Sequence, residues 1–341
     1  MKPIFIHHRS SHHAVNSGYS RLIDFYQPAT VVLGQAKLPY KVAKVLGRFV
    51  NQEAGLYNSS SVFKELELLQ VLKKSKNEQQ VVHYLNAERD VRFTVQQGTR
   101  FNKTAFCGSF HKPPKVLENH FKSSKYIKHL DGAVAVGINQ VDYIQDRLKI
   151  KEVTYIPHGV DTQFFKPKTW KNPVPTLLFV GQHLRNFDLF NSCIPVIAQQ
   201  VPDLKVEVVM HKPYIKQIKP QPYIQFFSGL DDQALSLKYQ QAHVLFLPMI
   251  DGTACNSILE AMASGLPIVT TDVGGNSAYL EGSGAILAPP KDANYLIDAT
   301  VYWLRYEQLL QDIAIKTRAH ALQYDWKRVA DLVKAFHGTL F

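Results

Sequence analysis

HVLFLPMIDGTACNSILEAMASGLPIVTTDVGGN, residues 243–276, decides how the rest of the chain is read. His243 to Met249 is a short apolar run with a proline near its end, the pattern of a buried parallel strand. Asp251, Gly252 and Thr253 follow, and then SILEAMASG, rich in strong helix formers and closed by Gly265. A second apolar run, Pro267 to Thr271, breaks at Gly274-Gly275. The spacing predicts strand, turn, helix, strand: one βαβ unit with a loop of small residues at the carboxyl end of its first strand. Ligands of open α/β sheets bind at that edge, and the free N–H groups that open a helix suit an anion. Spacing alone also admits a tight turn with no ligand.

The same alternation extends in both directions. Upstream, residues 3–8, 30–34, 80–85, 103–110, 132–136 and 153–156 read as strands. Residues 40–54, 61–76 and 139–149 carry helical spacing, and another helix begins near Pro114. PHGVDTQFFKPKTWKNPVP (157–175) is dense in proline and polar residues and marks a domain boundary. Beyond it, strands at 176–180, 205–210 and 224–227 and helices at 187–201 and 231–241 lead into the opening unit. Roughly the last sixty residues are almost wholly helical in pattern. Two strand–helix series joined by a linker mean two doubly wound α/β domains facing each other.

Composition narrows the class. The chain of 341 residues is 45% hydrophobic and 20% charged, which describes a globular protein with a real core. Cys107, Cys193 and Cys255 are scattered and odd in number, so no disulfide framework or zinc spacing results and a reducing cytoplasm is expected. The first residues hold only a short apolar stretch, too short for the core of a signal peptide, and no run approaches a membrane span. His7-His8 and His12-His13 look like metal ligands, but adjacent histidines on a strand point to opposite faces, and no metal site is expected. A net charge of +11 favours anionic partners. Without zinc-finger spacing, an RNA-binding aromatic signature or a basic arm, nucleic acid is not expected among them.

Several pieces together resemble a known family. VLFLPMIDGTACNSILEAMASGLPIVTTDVGGN resembles the nucleotide-sugar-binding segment of the family-4 retaining glycosyltransferases, which have the GT-B fold. YIPHGVDTQFFKP is similar to their interdomain signature, LLFVGQHLR to the first strand and loop of their C-terminal domain, and CGSFHKPP to the strand that presents a histidine at the cleft. Trp326, in YDWKRVADLV, sits where these enzymes run a final helix back to the N-terminal domain. The match runs from about residue 105 onward; the first hundred or so residues share only the layout. The resemblance implies a Rossmann-like acceptor-side domain at 1–160, a linker at 161–175, a nucleotide-sugar domain at 176–318 and a returning helix at 319–341.

Carried over residue by residue, it implies that Glu260 holds the ribose, and that the backbone around Thr253, Ala254, Asn256 and Ser257 meets the diphosphate or sugar. His111 would sit near the reacting centre, Gly18 and Gly181 beside the pyrophosphate. Two departures stand out. The usual spacing of the paired glutamates puts Gly252 where the first carboxylate belongs, with Asp251 one position early, either as a substitute or as a cap for the helix. Gln182 and Phe187 stand where the family offers Arg and Lys, leaving Arg185 as the cation expected to reach the diphosphate.

Transfer from such a donor builds negative charge on the departing diphosphate and positive charge at the anomeric carbon. Arg185 and the 253–256 turn answer the first need without a metal, and Asp251 and His111 the second. The expectation is therefore a retaining glycosyltransferase with a nucleotide diphosphate sugar donor, no further cofactor, and a glycan or lipid-linked acceptor. A sugar-nucleotide epimerase or phosphorylase of this fold, and a non-catalytic nucleotide-sugar or glycan-binding protein, are the alternatives. Residues 112–129 hold five lysines against Glu118. As one helix they would place Lys115, Lys122 and Lys125 on a face able to rest on an anionic bilayer, which makes a peripheral membrane location part of the expectation.

Overall fold

The computed structural model describes residues 1–8, 16–54, 56–168 and 172–341. His12 and His13 of the histidine pairs, and residues 169–171 of the boundary stretch, lie outside them. The described residues form two compact units. The first takes residues 1–8, Tyr19–His158 and Lys327–Phe341; the second takes Gly159–Trp326 together with residues 16–18.

The first unit is built on a parallel sheet of six strands: β1 (Lys2–Ile6), β2 (Thr30–Val32), β3 (Gln80–Tyr84), β4 (Thr104–Phe110), β5 (Gly132–Ala135) and β6 (Glu152–Tyr155), in the order β2-β1-β3-β4-β5-β6. Strands β3, β4 and β5 are buried throughout, as apolar runs covered on both faces must be. Between them run α1 (Leu22–Tyr26), α2 (Tyr40–Ala54), α3 (Ser59–Lys74), α4 (Ala87–Asp90) and α5 (Pro114–His120). Asn58 opens α3, its side chain accepting from the Ser60 and Ser61 amides, and Lys73 and Lys74 close it where the helix dipole favours cations.

The second unit repeats the plan. Strands β7 (Thr176–Val180), β8 (Lys205–Val209), β9 (Ile224–Phe227), β10 (Val244–Leu247), β11 (Ile268–Thr271) and β12 (Ile286–Ala288) are all parallel, in the order β12-β11-β10-β7-β8-β9. Their helices are α6 (Phe187–Gln200), α7 (Asp232–Gln241), α8 (Asn256–Ala263), α9 (Asn276–Leu280), α10 (Ala293–Arg305) and α11 (Glu307–Ala321). Chain direction across the sheet reverses between β7 and β10. Doubly wound sheets open a crevice for ligands at that reversal, beyond the carboxyl ends of the strands.

The signature HGVDTQFF folds into the second unit from Gly159 on. The Asp161 carboxylate accepts from the Gln163 and Phe164 amides at 3.1 and 3.0 Å. Arg318, on α11, donates to the carbonyls of Thr162, Phe165 and Ala263. A Cβ on Gly159 would come within 2.4 Å of the Trp326 indole, so only glycine lets that buried ring close on the turn. Trp326 opens the last helix, α12 (Trp326–Gly338), whose later residues belong to the first unit.

Two expectations are corrected. Residues 112–129 are not one helix: α5 ends at His120, and Leu117 and Ile127 go into the core, so Lys115, Lys122 and Lys125 do not edge a continuous apolar face. Residues 139–149 are helical as expected, with 3-10 winding at Ile138–Gln140 that runs through Val141 and Asp142 into π-type winding at Tyr143–Arg147. The C-terminal stretch contains β12, which the glycines before it and the prolines after it shorten to three residues.

Candidate functional site

In the second unit the loop after β7 and the loop after β10 are tied together at the reversal. Asn186 N donates to Pro248 O at 2.9 Å and Ile250 N to Leu184 O at 3.0 Å. Gly181, at φ +87, turns the chain sharply out of β7; a Cβ there would come within 2.9 Å of Arg185 Nη2. The turn folds Arg185 back over the strand end. Its Nε donates to Val180 O at 3.0 Å, Nη1 to His183 O at 2.9 Å, and Nη2 to Ser257 Oγ at 3.2 Å and Cys255 Sγ at 3.4 Å. Arg185 is only 9% exposed, and among the described residues no carboxylate pairs with it. A buried charge is costly unless it is paired, and here carbonyls, a hydroxyl and a thiol stand in for an opposite charge.

Helix α8 starts beside it with no side-chain cap on its first turn. The N–H groups that open a helix lack intrahelical partners and carry the positive end of its dipole. Asp251 does not cap this helix: its Oδ1 accepts from Gly252 N at 2.8 Å, within the preceding loop. Thr253 and Ser257 are buried; Ala254 and Asn256 are half-buried.

One turn into α8 lies Glu260, 4% exposed. Tyr239 O–H, fully buried on α7, donates to its Oε2 at 2.8 Å, and Ser17 Oγ donates to its Oε1. Asn256 Nδ2 reaches Ser17 Oγ at 3.5 Å. Burial pushes the Glu260 carboxyl up to about 7, against the opposing pull of the Ser17 and Tyr239 bonds. Ser17 precedes Gly18, which adopts φ +91, and is held by Asn16, whose backbone and side-chain nitrogens both donate to Asp232 Oδ2. Gly181, Arg185, Asn256, Ser257 and Glu260 thus share one place, with Gly18 on the neighbouring segment. Reading the sequence missed Tyr239 and Ser17. The available signal for Tyr239 was an aromatic in a polar helix shortly before β10, a position that faces the sheet.

His111 stands in the first unit, at the end of β4. Its Nε2 bonds Leu85 O at 2.7 Å, which puts the proton on that nitrogen, and its amide donates to Glu88 Oε1 at 2.8 Å. The Tyr19 ring packs edge-on against the imidazole, with centroids 4.7 Å apart.

The first unit also holds a buried polar chain that the sequence did not reveal. Ser109 Oγ donates to the Tyr19 hydroxyl at 3.0 Å, so His83 Nε2 donates to Ser109 Oγ at 2.8 Å. His83 Nδ1 then accepts from His337 Nε2, and His337 Nδ1 from the Tyr26 hydroxyl, each at 2.8 Å. Burial depresses both histidines, His337 to about 4 and His83 well below its usual range. Cys107 joins them, with one ligand atom from each residue within 4.8 Å of the others; among the described residues this group is close enough to share an ion. A thiol and two imidazoles would suit zinc.

The two parallel sheets flanked by helices, with a helical C-terminal region, are a GT-B-type fold. The structure matches sucrose-phosphate synthase from Thermosynechococcus elongatus with a TM-score of 0.72 at 16% identity, over 100% of this chain and 99% of that one. It matches Anabaena HepE, solved in complex with UDP and glucose, with a TM-score of 0.69 at 14% identity over 99% and 100%. In sequence, residues 174–305 match the family described as Glycosyl transferases group 1. Phosphatidyl-myo-inositol mannosyltransferase from Mycobacterium leprae is 25% identical over 199 residues, 54% of this chain and 53% of that protein. D-inositol 3-phosphate glycosyltransferase from Corynebacterium diphtheriae is 23% identical over 214 residues, 54% of this chain and 50% of that one. The chain spans about half the length of the curated relatives it matches.

Proposed function

We propose that the protein is a retaining glycosyltransferase that moves a sugar from a nucleotide diphosphate sugar to a hydroxyl of a glycan or lipid-linked acceptor, in the synthesis of cell-surface polysaccharide or glycoconjugate. The observation that carries this reading is the Arg185 guanidinium: buried, without a carboxylate partner among the described residues, and bonded to Ser257 at the uncapped start of α8. Arg185 and the amides of residues 253–257 hold the diphosphate and meet the charge that grows on it as the glycosidic bond breaks, which requires no metal ion. Gly181 and Gly18 let phosphate oxygens approach the backbone. Glu260 accepts hydrogen bonds from the ribose; Ser17 Oγ already offers its carboxylate the kind of hydroxyl a ribose would. His111, its ring fixed by Leu85 O, and Asp251 serve the sugar.

A panel of UDP, GDP, ADP and their sugars in thermal-shift measurements tests the donor half. A true ligand at a hundred times its dissociation constant adds about 2.7 kcal/mol of stability. Transfer is then followed by NMR for retention at the anomeric carbon. Inositol phospholipids belong among the acceptors tried, because two relatives carry inositol acceptors in their names. Failure of every nucleoside diphosphate to bind would overturn the reading. A second reading, a nucleotide-sugar-binding protein without catalysis, draws on Asp251 Oδ1 being taken by the Gly252 amide. Binding with neither hydrolysis nor transfer would select it.

A further inference from the structure

Helix α2 is packed the wrong way round for a helix that serves only its own core. Ala43, Gly47 and Val50 face inward. Gly47 lies so close to the start of α3 that a Cβ on it would come within 2.8 Å of the Asn58 carbonyl carbon. The large apolar residues face outward: Phe49 is 75% exposed and Val45 66%, with Val42 and Leu46 also exposed. At 100° per residue, Val42, Val45, Leu46 and Phe49 fall within an arc of about 100° whose centre lies about 120° around the helix from the centre of the buried edge. Lys41, Lys44 and Arg48, all exposed, fill an adjoining arc of about 60°. No acidic residue occurs from Tyr40 to Val50.

An apolar stripe bordered by an unbroken cationic stripe answers one surface chemically: acyl chains beneath anionic headgroups. An apolar protein partner would satisfy the first stripe and leave the second unmatched. No described helix is long and apolar enough to cross a membrane, so this contact lies in the interface plane. We propose that α2 is the element that docks the protein on an anionic phospholipid bilayer, Phe49 and Val45 entering the acyl boundary and Lys41, Lys44 and Arg48 meeting the headgroups. The inference rests on α2 alone and stands or falls independently of sugar transfer.

Co-sedimentation of the full chain with vesicles of phosphatidylcholine alone, or of phosphatidylcholine containing about a third phosphatidylglycerol, tests it at low and high salt. Wild type binds the anionic vesicles, binds the neutral ones far more weakly, and is partly released by salt. The double substitution Val45→Ser/Phe49→Ser loses at least about ten-fold in partitioning. The triple substitution Lys41→Glu/Lys44→Glu/Arg48→Glu loses the preference for anionic lipid. Circular dichroism and a thermal melt confirm that both remain folded. As a measurement that leaves the helix intact, Phe49→Trp gains blue-shifted emission on anionic vesicles beyond that of wild type. Three results would overturn the proposal: wild type that ignores anionic vesicles, α2 variants that bind them as wild type does, or a dimer in light scattering that Val45→Ser/Phe49→Ser dissociates, which would make a second copy the occupant.

Discussion

In the first unit Tyr26, His337, His83, Ser109 and Tyr19 pass hydrogen bonds along one direction, each donor finding one acceptor, and burial keeps both imidazoles neutral. In the second unit Arg185 and Glu260 are also buried, but the guanidinium is met by carbonyls, a hydroxyl and a thiol in place of a carboxylate. A neutral network whose imidazole donors are matched stabilises the fold. A buried cation without an opposite charge costs stability and keeps its field for something that arrives. The two clusters should therefore respond oppositely when they are cut.

The largest effect is expected from Arg185→Met. It removes the charge while keeping much of the volume, so nucleoside diphosphate affinity should fall about 10²-fold or more while the melting temperature holds or rises. Isothermal titration and a thermal melt on the same sample read both. A large drop in melting temperature would show that Arg185 belongs with the structural networks instead.

His337→Phe should do the reverse. It leaves the Tyr26 hydroxyl and His83 short of partners, at about 3 kcal/mol of stability by denaturant titration, with nucleotide affinity unchanged. The same chain makes the protein acid-sensitive. An unfolded chain takes protons on both histidines below about 6.5, whereas the folded one refuses them. Stability is then full above about 6.5 and is lost as pH falls toward about 4, by about 1.4 kcal/mol per pH unit and histidine.

At Glu260 the shift is upward instead. Its carboxyl titrates near 7, so nucleotide affinity should weaken as pH drops through that value, by up to about ten-fold per unit. Glu260→Gln should be weaker at high pH and flat across the range. A pH profile that survives the substitution would assign the titration to another group. The smallest effect is expected from Tyr239→Phe, which keeps the ring and removes one hydrogen bond to Glu260. Affinity should fall by five- to ten-fold or so, with little change in fold stability.

The fold was legible because its strands are apolar runs separated by helical spacing, a pattern that local sequence carries. VLFL and IVTT could be read as buried strands, and SILEAMA as the helix between them, without knowing their neighbours. What failed was either very short or undecided locally. ILA is three residues between glycines and prolines, and the apolar residues of 112–129 reach the core from separate turns. Arg185, Ser257 and Glu260 could be gathered because their loops end adjacent strands of one sheet. Ser17 could not, since it reaches Glu260 across 243 positions of chain. His83 and Cys107 meet only through the register of β3 against β4, and His337 joins them from the far end of the sequence.

The seam at Val160 gives this topology a practical meaning. Val160 N donates to Tyr324 O at 2.9 Å, and Trp326 N to Val160 O at 3.3 Å, so the place where the chain enters the second unit and the place where it leaves are hydrogen-bonded neighbours. Apart from residues 16–18, the second unit is accordingly one continuous run inserted into the sequence of the first. A contiguous gene fragment from Gly159 to Trp326 encodes both edges of that seam, while no contiguous fragment encodes the first unit, which recovers its closing helix only after the inserted run has been made.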